Sequence, residues 1–317
     1  MSPRGPLLAA LLLCGAASGA RAETGRTAAS FLRRALGARA AAMGGAFVAV
    51  RNSADSLQYN PGALSTIGRR TVTTTYLSGF GGTSHGFLGY AHPLGRVTLG
   101  AGALYYNAGP IDLNLSDGTR SRVTAEENTA FTMAAAVQAL KGLHLGGAVR
   151  WARLELAETA HATTVQEDMG MLWQLPGRLA PLSLGAAYQY LGPDIAFEEV
   201  GDPPPKTLRY GLALRLPSVD PVRVDPSVDL KALDMTLAAD VAHTLHEDPS
   251  PRCGIELGLT PSYMNRVALR FGWVFQRSAE SFTFGMGLHH QDLGLDYGFG
   301  SGKDLGNLQQ LSLSYVF

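Results

Sequence analysis

Beyond residue 70 the chain alternates apolar and polar positions with a period of two. In its last ten residues Leu311, Leu313, Tyr315 and Phe317 share one face, and Gln310, Ser312 and Ser314 share the other. Leu293, Leu295, Tyr297 and Phe299 alternate with Gly294, Asp296, Gly298 and Gly300, and Phe282, Phe284, Met286 and Leu288 with Thr283, Gly285 and Gly287. Val267, Leu269, Phe271, Trp273 and Phe275 face away from Ala268, Arg270, Gly272 and Gln276. Such alternation predicts strands with one apolar face. The pattern predicts strands near 70–78, 84–92, 96–106, 128–140, 142–155, 162–175, 181–191, 206–216, 233–244, 251–259, 265–276, 281–289, 292–300 and 308–317. That is an even number, fourteen. The connections alternate too: Pro93–Gly95, Lys141-Gly142, Pro176–Ala180 and Gln291 are short, whereas Asn107–Glu127, Gly192–Pro205 and Ser301–Asn307 are long. One connection, Pro217–Ala232, is long where this phase calls for a short turn.

Two architectures fit many amphipathic antiparallel strands, a soluble sandwich and a membrane barrel. A soluble sheet would carry charges on its solvent face. Here the polar face is mostly Gly, Ser, Thr and Ala, with isolated charges at Arg150, Arg209, Arg215, Asp240, Glu256, Arg270 and Asp296. In a membrane barrel such charges belong in the lumen, because on the lipid face each costs about 2–4 kcal/mol near the midplane. Tyr105, Trp151, Trp173, Tyr190, Phe275 and Tyr315, near strand ends, suit interfacial girdles. Closure also removes the edges that fourteen apolar strands would otherwise expose. The fold class is therefore all-β: a 14-stranded antiparallel transmembrane β-barrel, residues 70–317.

Composition agrees with two superimposed faces. Of 317 residues, 38 are glycine and only 16% are charged, against about 7% and 25% in ordinary proteins. The net charge is zero, with no basic block, which excludes the clustered Lys and Arg of a nucleic-acid binder. Arg4, the apolar run Leu7–Leu13 and Ala20-Arg21-Ala22 predict a secretory signal peptide, residues 1–22, cut after Ala22. Cys14 raises a lipidated alternative, but Leu13 precedes it where a small residue is wanted; cleavage leaves Cys253 as the one mature cysteine.

Residues 23–69 break the pattern. Thr27–Leu36 suits a helical turn or two, Gly44-Gly45 a tight turn, and Asn52 or Ser53 the cap of a short helix before Pro61. The segment is either an ordered lead-in to the first strand or, as its length favours, a plug or hatch folded into the lumen. Gly37-Ala38-Arg39-Ala40, the Met43-Gly44-Gly45-Ala46-Phe47-Val48-Ala49-Val50 block and Asn60-Pro61-Gly62-Ala63-Leu64 resemble the N-terminal signature of the PorV/PorQ-like family of outer-membrane barrels, related to FadL-type long-chain fatty-acid transporters. The family's N-P-A-G-L is here N-P-G-A-L, so the turn at Gly62 departs from it. The resemblance implies a non-enzymatic barrel that assists protein secretion or surface assembly, working with secretion-system components or exported cargo. Its FadL-type branch implies the alternative, a transporter of hydrophobic small molecules with residues 31–64 as hatch. Tyr315 and the terminal Phe317 resemble the signal read by the barrel-assembly machinery.

Other motifs lack their context. Gly82-Thr83-Ser84-His85-Gly86 matches the nucleophile-elbow string, but a strand follows where a helix is required. Gly298–Lys303 fails the phosphate-loop pattern. His243 with His246, and His289-His290 with Asp292, sit at strand ends as solvated pairs rather than metal sites. Arg270 and Glu256 predict a structural ion pair. The sequence thus predicts no catalytic, cofactor or metal site. Its predicted partners are outer-membrane lipid and lipopolysaccharide, with both ends of the mature chain periplasmic.

Overall fold

The computed structural model describes residues 27–114, 118–219, 230–261, 266–275, 281–302 and 306–317. The expected signal peptide and Lys303 lie outside them. Fourteen strands close into one antiparallel barrel: β1 (Thr71–Ser78), β2 (Ser84–Leu94), β3 (Val97–Asn107), β6 (Glu126–Leu140), β7 (Leu143–Leu156), β8 (Ala160–Gln174), β9 (Leu182–Leu191), β12 (Thr207–Val219), β13 (Leu230–Thr244), β14 (Ser250–Pro261), β15 (Arg266–Val274), β16 (Phe282–His290), β17 (Leu293–Gly300) and β18 (Leu308–Val316). β18 pairs back onto β1, Val316 opposite Thr71 and Gln309 opposite Ser78. Each expected strand is present, its ends shifted by a few residues. Two small hairpins, β4 (Pro110–Asn114) with β5 (Arg120–Thr124) and β10 (Ile195–Ala196) with β11 (Gly201–Asp202), lie within long connections.

The alternation settles which face is which. Leu311, Leu313 and Tyr315 are exposed on the outer wall, while Gln310 and Ser312 are buried inside. Leu88, Leu99, Met133, Val149 and Phe271 join the apolar exterior, and Tyr105, Trp151, Trp173 and Phe275 stand exposed among them. Tyr190 does not. A register shift between Glu167 and Met169 on β8 and a left-handed backbone at Tyr190 (φ 61°) turn that ring inward, where it is 1% exposed. A bulge re-aims a side chain in this way, which simple alternation cannot foretell.

The connection at 217–232 also differs from its expectation. β12 runs on to Val219 and β13 starts at Leu230, each through a register irregularity. Both strands are longer than the pattern suggested: the ladder resumes with Val219 opposite Leu233 beyond Leu216, and with Leu230 opposite Pro261 beyond Ala232. Residues 220–229 lie outside the described ones. The short connections, Gly95 and Gln291 among them, share one end of the barrel with Arg70 and Phe317, here the turn end. The long connections after β3, β9 and β17 share the other, the loop end, whereas the one between β12 and β13 falls at the turn end.

Residues 27–67 fold inside the barrel as short helical turns: Ser30–Arg33, α1 (Ala38–Ala42), Ala54–Gln58 and Pro61–Thr66. Ser53 caps the third, accepting from Asp55 N at 3.3 Å, and Asn60 caps the fourth, accepting from Gly62 N at 3.0 Å. The segment begins at the loop end, where Ala28 N donates to Pro203 O at 3.0 Å. Phe317 N donates to Arg70 O at the turn end. The first described residues and the C-terminus therefore lie at opposite ends of the barrel; the expected mature N-terminus lies outside the described residues. The chain must thread the lumen before it enters β1.

Candidate functional site: the occupied lumen

The lumen admits backbone because its wall is built there from glycine. A Cβ at Gly146 of β7 would lie 2.6 Å from Pro61 C and O, and one at Gly254 of β14 would lie 2.6 Å from Met43 Cβ and O. Gly170, Gly185, Gly272 and Gly285 meet Asn60, Val48, Gly44 and Ala42 in the same way. The segment answers with its own glycine: a Cβ at Gly62 would lie 2.7 Å from Gly170 O. Alanine at 62 would collide, which is the physical reason for N-P-G-A-L in this chain.

Polar groups on the inward faces then fix the segment from all sides. Asp240 accepts from Phe47 N at 2.6 Å and Val48 N at 2.8 Å. Asn60 Nδ2 donates to Val48 O at 2.7 Å and Met171 O at 2.9 Å. Ala38 N donates to Ser312 Oγ at 2.8 Å, Gln310 Nε2 to Ala35 O at 2.7 Å, and Thr283 Oγ1 to Ala42 O at 2.9 Å. Tyr190 OH donates to Leu32 O at 2.7 Å, and Gln189 Nε2 to Gln58 O at 3.0 Å. Each satisfies a backbone group that would otherwise be buried unpaired.

The lumen has two unlike sides. Across β13 to β17 runs a charge network: Arg39 of α1 meets both oxygens of Glu256 at 2.8 and 2.9 Å. Arg270 Nε reaches Glu256 at 2.6 Å and Arg270 Nη1 reaches Asp296 at 2.7 Å. Arg266 joins Glu256 to Asp234, and His289 lies 3.3 Å from Asp296. Arg209 donates to Gln189 at 2.8 Å and lies over the Tyr59 ring. The wall from β1 to β8 instead carries an apolar cluster set among buried polar residues such as Thr75, His85, Asn128, Thr132 and Gln166. Leu77, Phe87, Leu104 and Leu154 with alanines of β6, β7 and β8 pack on Phe31, Leu32, Leu36, Leu57 and Leu64 of the segment. Burying each such large side chain contributes about 1.5–3 kcal/mol. Arg150, paired with Asp168 at 3.2 Å and stacked on Tyr190, interrupts that wall.

All the motif residues predicted at the N-terminus thus face the barrel, and the predicted luminal charges are buried except Arg215, which stands exposed at the turn-end mouth. Sequence reading missed Gln189, Ser312, Thr283, Gln310 and Asp234, whose signal was their place on the polar face of each strand. Ser84 opens β2 and lies opposite Ser78 and Asn107, with His85 on the other face. His290 and His243 are exposed, and Asp292 pairs with Arg69 at 2.8 Å. No group of three or more metal-ligating side chains occurs among the described residues.

Asp55 was also missed. Its carboxyl is buried against Gly37, whose backbone (φ 93°) and missing Cβ admit it. Burial, aided by the charge of Asp296, raises its pKa from 3.8 to about 6. A folded-state value above the unfolded one favours the neutral form, so this contribution is present below about pH 4 and is lost as pH rises through about 6. Proteolysis of the segment should therefore be slower at pH 4.5 than at pH 7.5 in the wild type, and Asp55→Asn should flatten the difference. An unchanged pH profile in the variant would assign it to another group.

The fold and the occupied lumen define a class: a closed fourteen-stranded transmembrane-type barrel carrying its own N-terminal segment inside. No protein-family model matches the chain, and no curated protein matches it. Among solved structures it is similar to the toluene transporter TodX of P. putida, with a TM-score of 0.55 and 14% identity over 89% of this chain and 98% of that one. It is similar also to the CymD monoaromatic hydrocarbon channel, with a TM-score of 0.53 and 12% identity over 89% and 97%. At such identities the likeness is one of fold.

Proposed function

We propose that this chain is an outer-membrane channel for hydrophobic small molecules, closed in the described state by its N-terminal segment. The observation that carries the reading is the apolar cluster on β1 to β8, covered by Phe31, Leu32, Leu36, Leu57 and Leu64. Withdrawal of those side chains would uncover the apolar cluster of Leu77, Phe87, Leu104 and Leu154 with the alanines of β6 to β8, a patch suited to an uncharged ligand. The similarity in fold to TodX and CymD, described as transporter and channel for aromatic hydrocarbons, supports it. The apolar exterior meets outer-membrane lipid and lipopolysaccharide, and the strand ending at Phe317 engages the barrel-assembly machinery.

The secretion-assisting reading rests on the resemblance at residues 37–64. It requires a partner-sized apolar surface on the outer loops. The most exposed large apolar residues of the described long loops, Ile111 and Val200, belong to separate loops, so transport is the better supported reading. Cells carrying the barrel should accumulate labelled toluene several-fold faster than cells without it. Equal rates, together with recovery of a secretion component on the purified barrel, would overturn the transport reading.

A further inference from the structure

Below the segment, at the turn end, the lumen holds a cavity of about 370 Å³. Its lining is unlike the apolar cluster. Arg39 and Arg266 are engaged by Glu256, Asp296 by Arg270, and Asp292 by Arg69. Asp55 is tucked against Gly37. Two guanidiniums remain. Arg51, at the tip of the luminal segment, and Arg215, on the inward face of β12, both line the cavity, and neither guanidinium has an acidic or hydrogen-bonding partner among the described residues.

The tip is fixed in place. Asn52 takes a left-handed backbone (φ 59°) and its N–H donates to Thr66 Oγ1 at 2.9 Å. Beside the arginines the cavity presents Ser183 and Thr236, the latter directly opposite Arg215 in the ladder. Both are buried residues on the inward face of the barrel. Partial burial, and then the charge of Arg215, lower the Arg51 pKa. Two cations in one another's field, with no acid between them, gain from an anion that bridges them. Guanidiniums bind carboxylate and phosphate through paired N–H donors.

We propose that Arg51 and Arg215, with Ser183 and Thr236, form an oxyanion-binding site at the turn end of the lumen, taking the carboxylate or phosphate of a small organic anion. The site is independent of hydrocarbon transport, since a hydrocarbon offers these residues nothing to bind. It lies where the segment turns back towards β1, so an occupant would hold the tip of the segment to β12.

The test is calorimetric titration of the full chain in detergent with benzoate, inorganic phosphate and benzamide. Benzoate, phosphate or both should bind, and benzamide, of like shape and no charge, should not. Binding of benzoate alone identifies an organic carboxylate, and binding of phosphate alone a phosphate; either supports the site. Arg51→Gln/Arg215→Gln should weaken the binding at least tenfold, and Arg51→Lys/Arg215→Lys should retain most of it. Heat-dependent gel mobility shows that each variant is a closed barrel. Undiminished binding by the Gln variant, benzamide binding as tightly as benzoate, or no binding of either anion by the wild type would overturn the proposal.

Discussion

Gly146→Val should expel the N-terminal segment from the barrel, and Gly147→Val should leave it seated. The two positions are neighbours on β7 and face opposite ways. A Cβ at 146 would lie 2.6 Å from Pro61 C and O and 2.7 Å from Gly62 N, all backbone atoms that cannot rotate aside. At 147 the nearest atom is Asp168 O at 3.6 Å, an ordinary contact. Overpacking costs about 1–3 kcal/mol, and about 1.4 kcal/mol is a factor of ten in population. The undocked state of Gly146→Val should thus rise roughly ten- to hundredfold. Trypsin cleavage at Arg39 or Arg51 in the assembled barrel reads that population directly. Equal cleavage of the two variants would mean that the glycine wall does not hold the segment.

Glu256→Gln should be the most damaging single charge change. Glu256 is fully buried and holds three arginines, Arg39, Arg266 and Arg270. Removing its charge leaves those cations facing one another, with Asp234 and Asp296 alone to balance them. Breaking a buried pair by removing one partner costs about 3–5 kcal/mol. The temperature at which the barrel unfolds on gels should drop clearly. Because Arg39 belongs to the segment and the other two to the wall, the segment should also undock. Adding Arg39→Gln relieves one uncompensated cation, so the double variant should lose less than the two singles combined. Strict additivity would show that Arg39 and Glu256 are not coupled.

Much of this was legible in the sequence. The fourteen strands followed from alternation alone, and the charges at Arg150, Arg209, Asp240, Glu256, Arg270 and Asp296 fell inside because lipid excludes them. What alternation could not carry was any departure from itself. Tyr190 turns inward only because of a bulge, and β12 and β13 lengthen only through irregular pairs. The course of the luminal segment was hidden for another reason. Its partners are hundreds of residues away, as with Ala38 and Ser312, so no local pattern records them. Gly62 and Asp55 were present as residues, but their meaning lies in the backbone each one meets.

A reversible lock tests whether the N-terminal segment closes the channel. In a Cys253→Ser background, Ala38→Cys with Ser312→Cys puts a thiol on each of two residues that a hydrogen bond from Ala38 N to Ser312 Oγ at 2.8 Å holds side by side. Toluene uptake should fall to the barrel-free rate when the pair is oxidised and recover on reduction. Uptake by the oxidised barrel at the full reduced rate would mean that the segment does not close the channel.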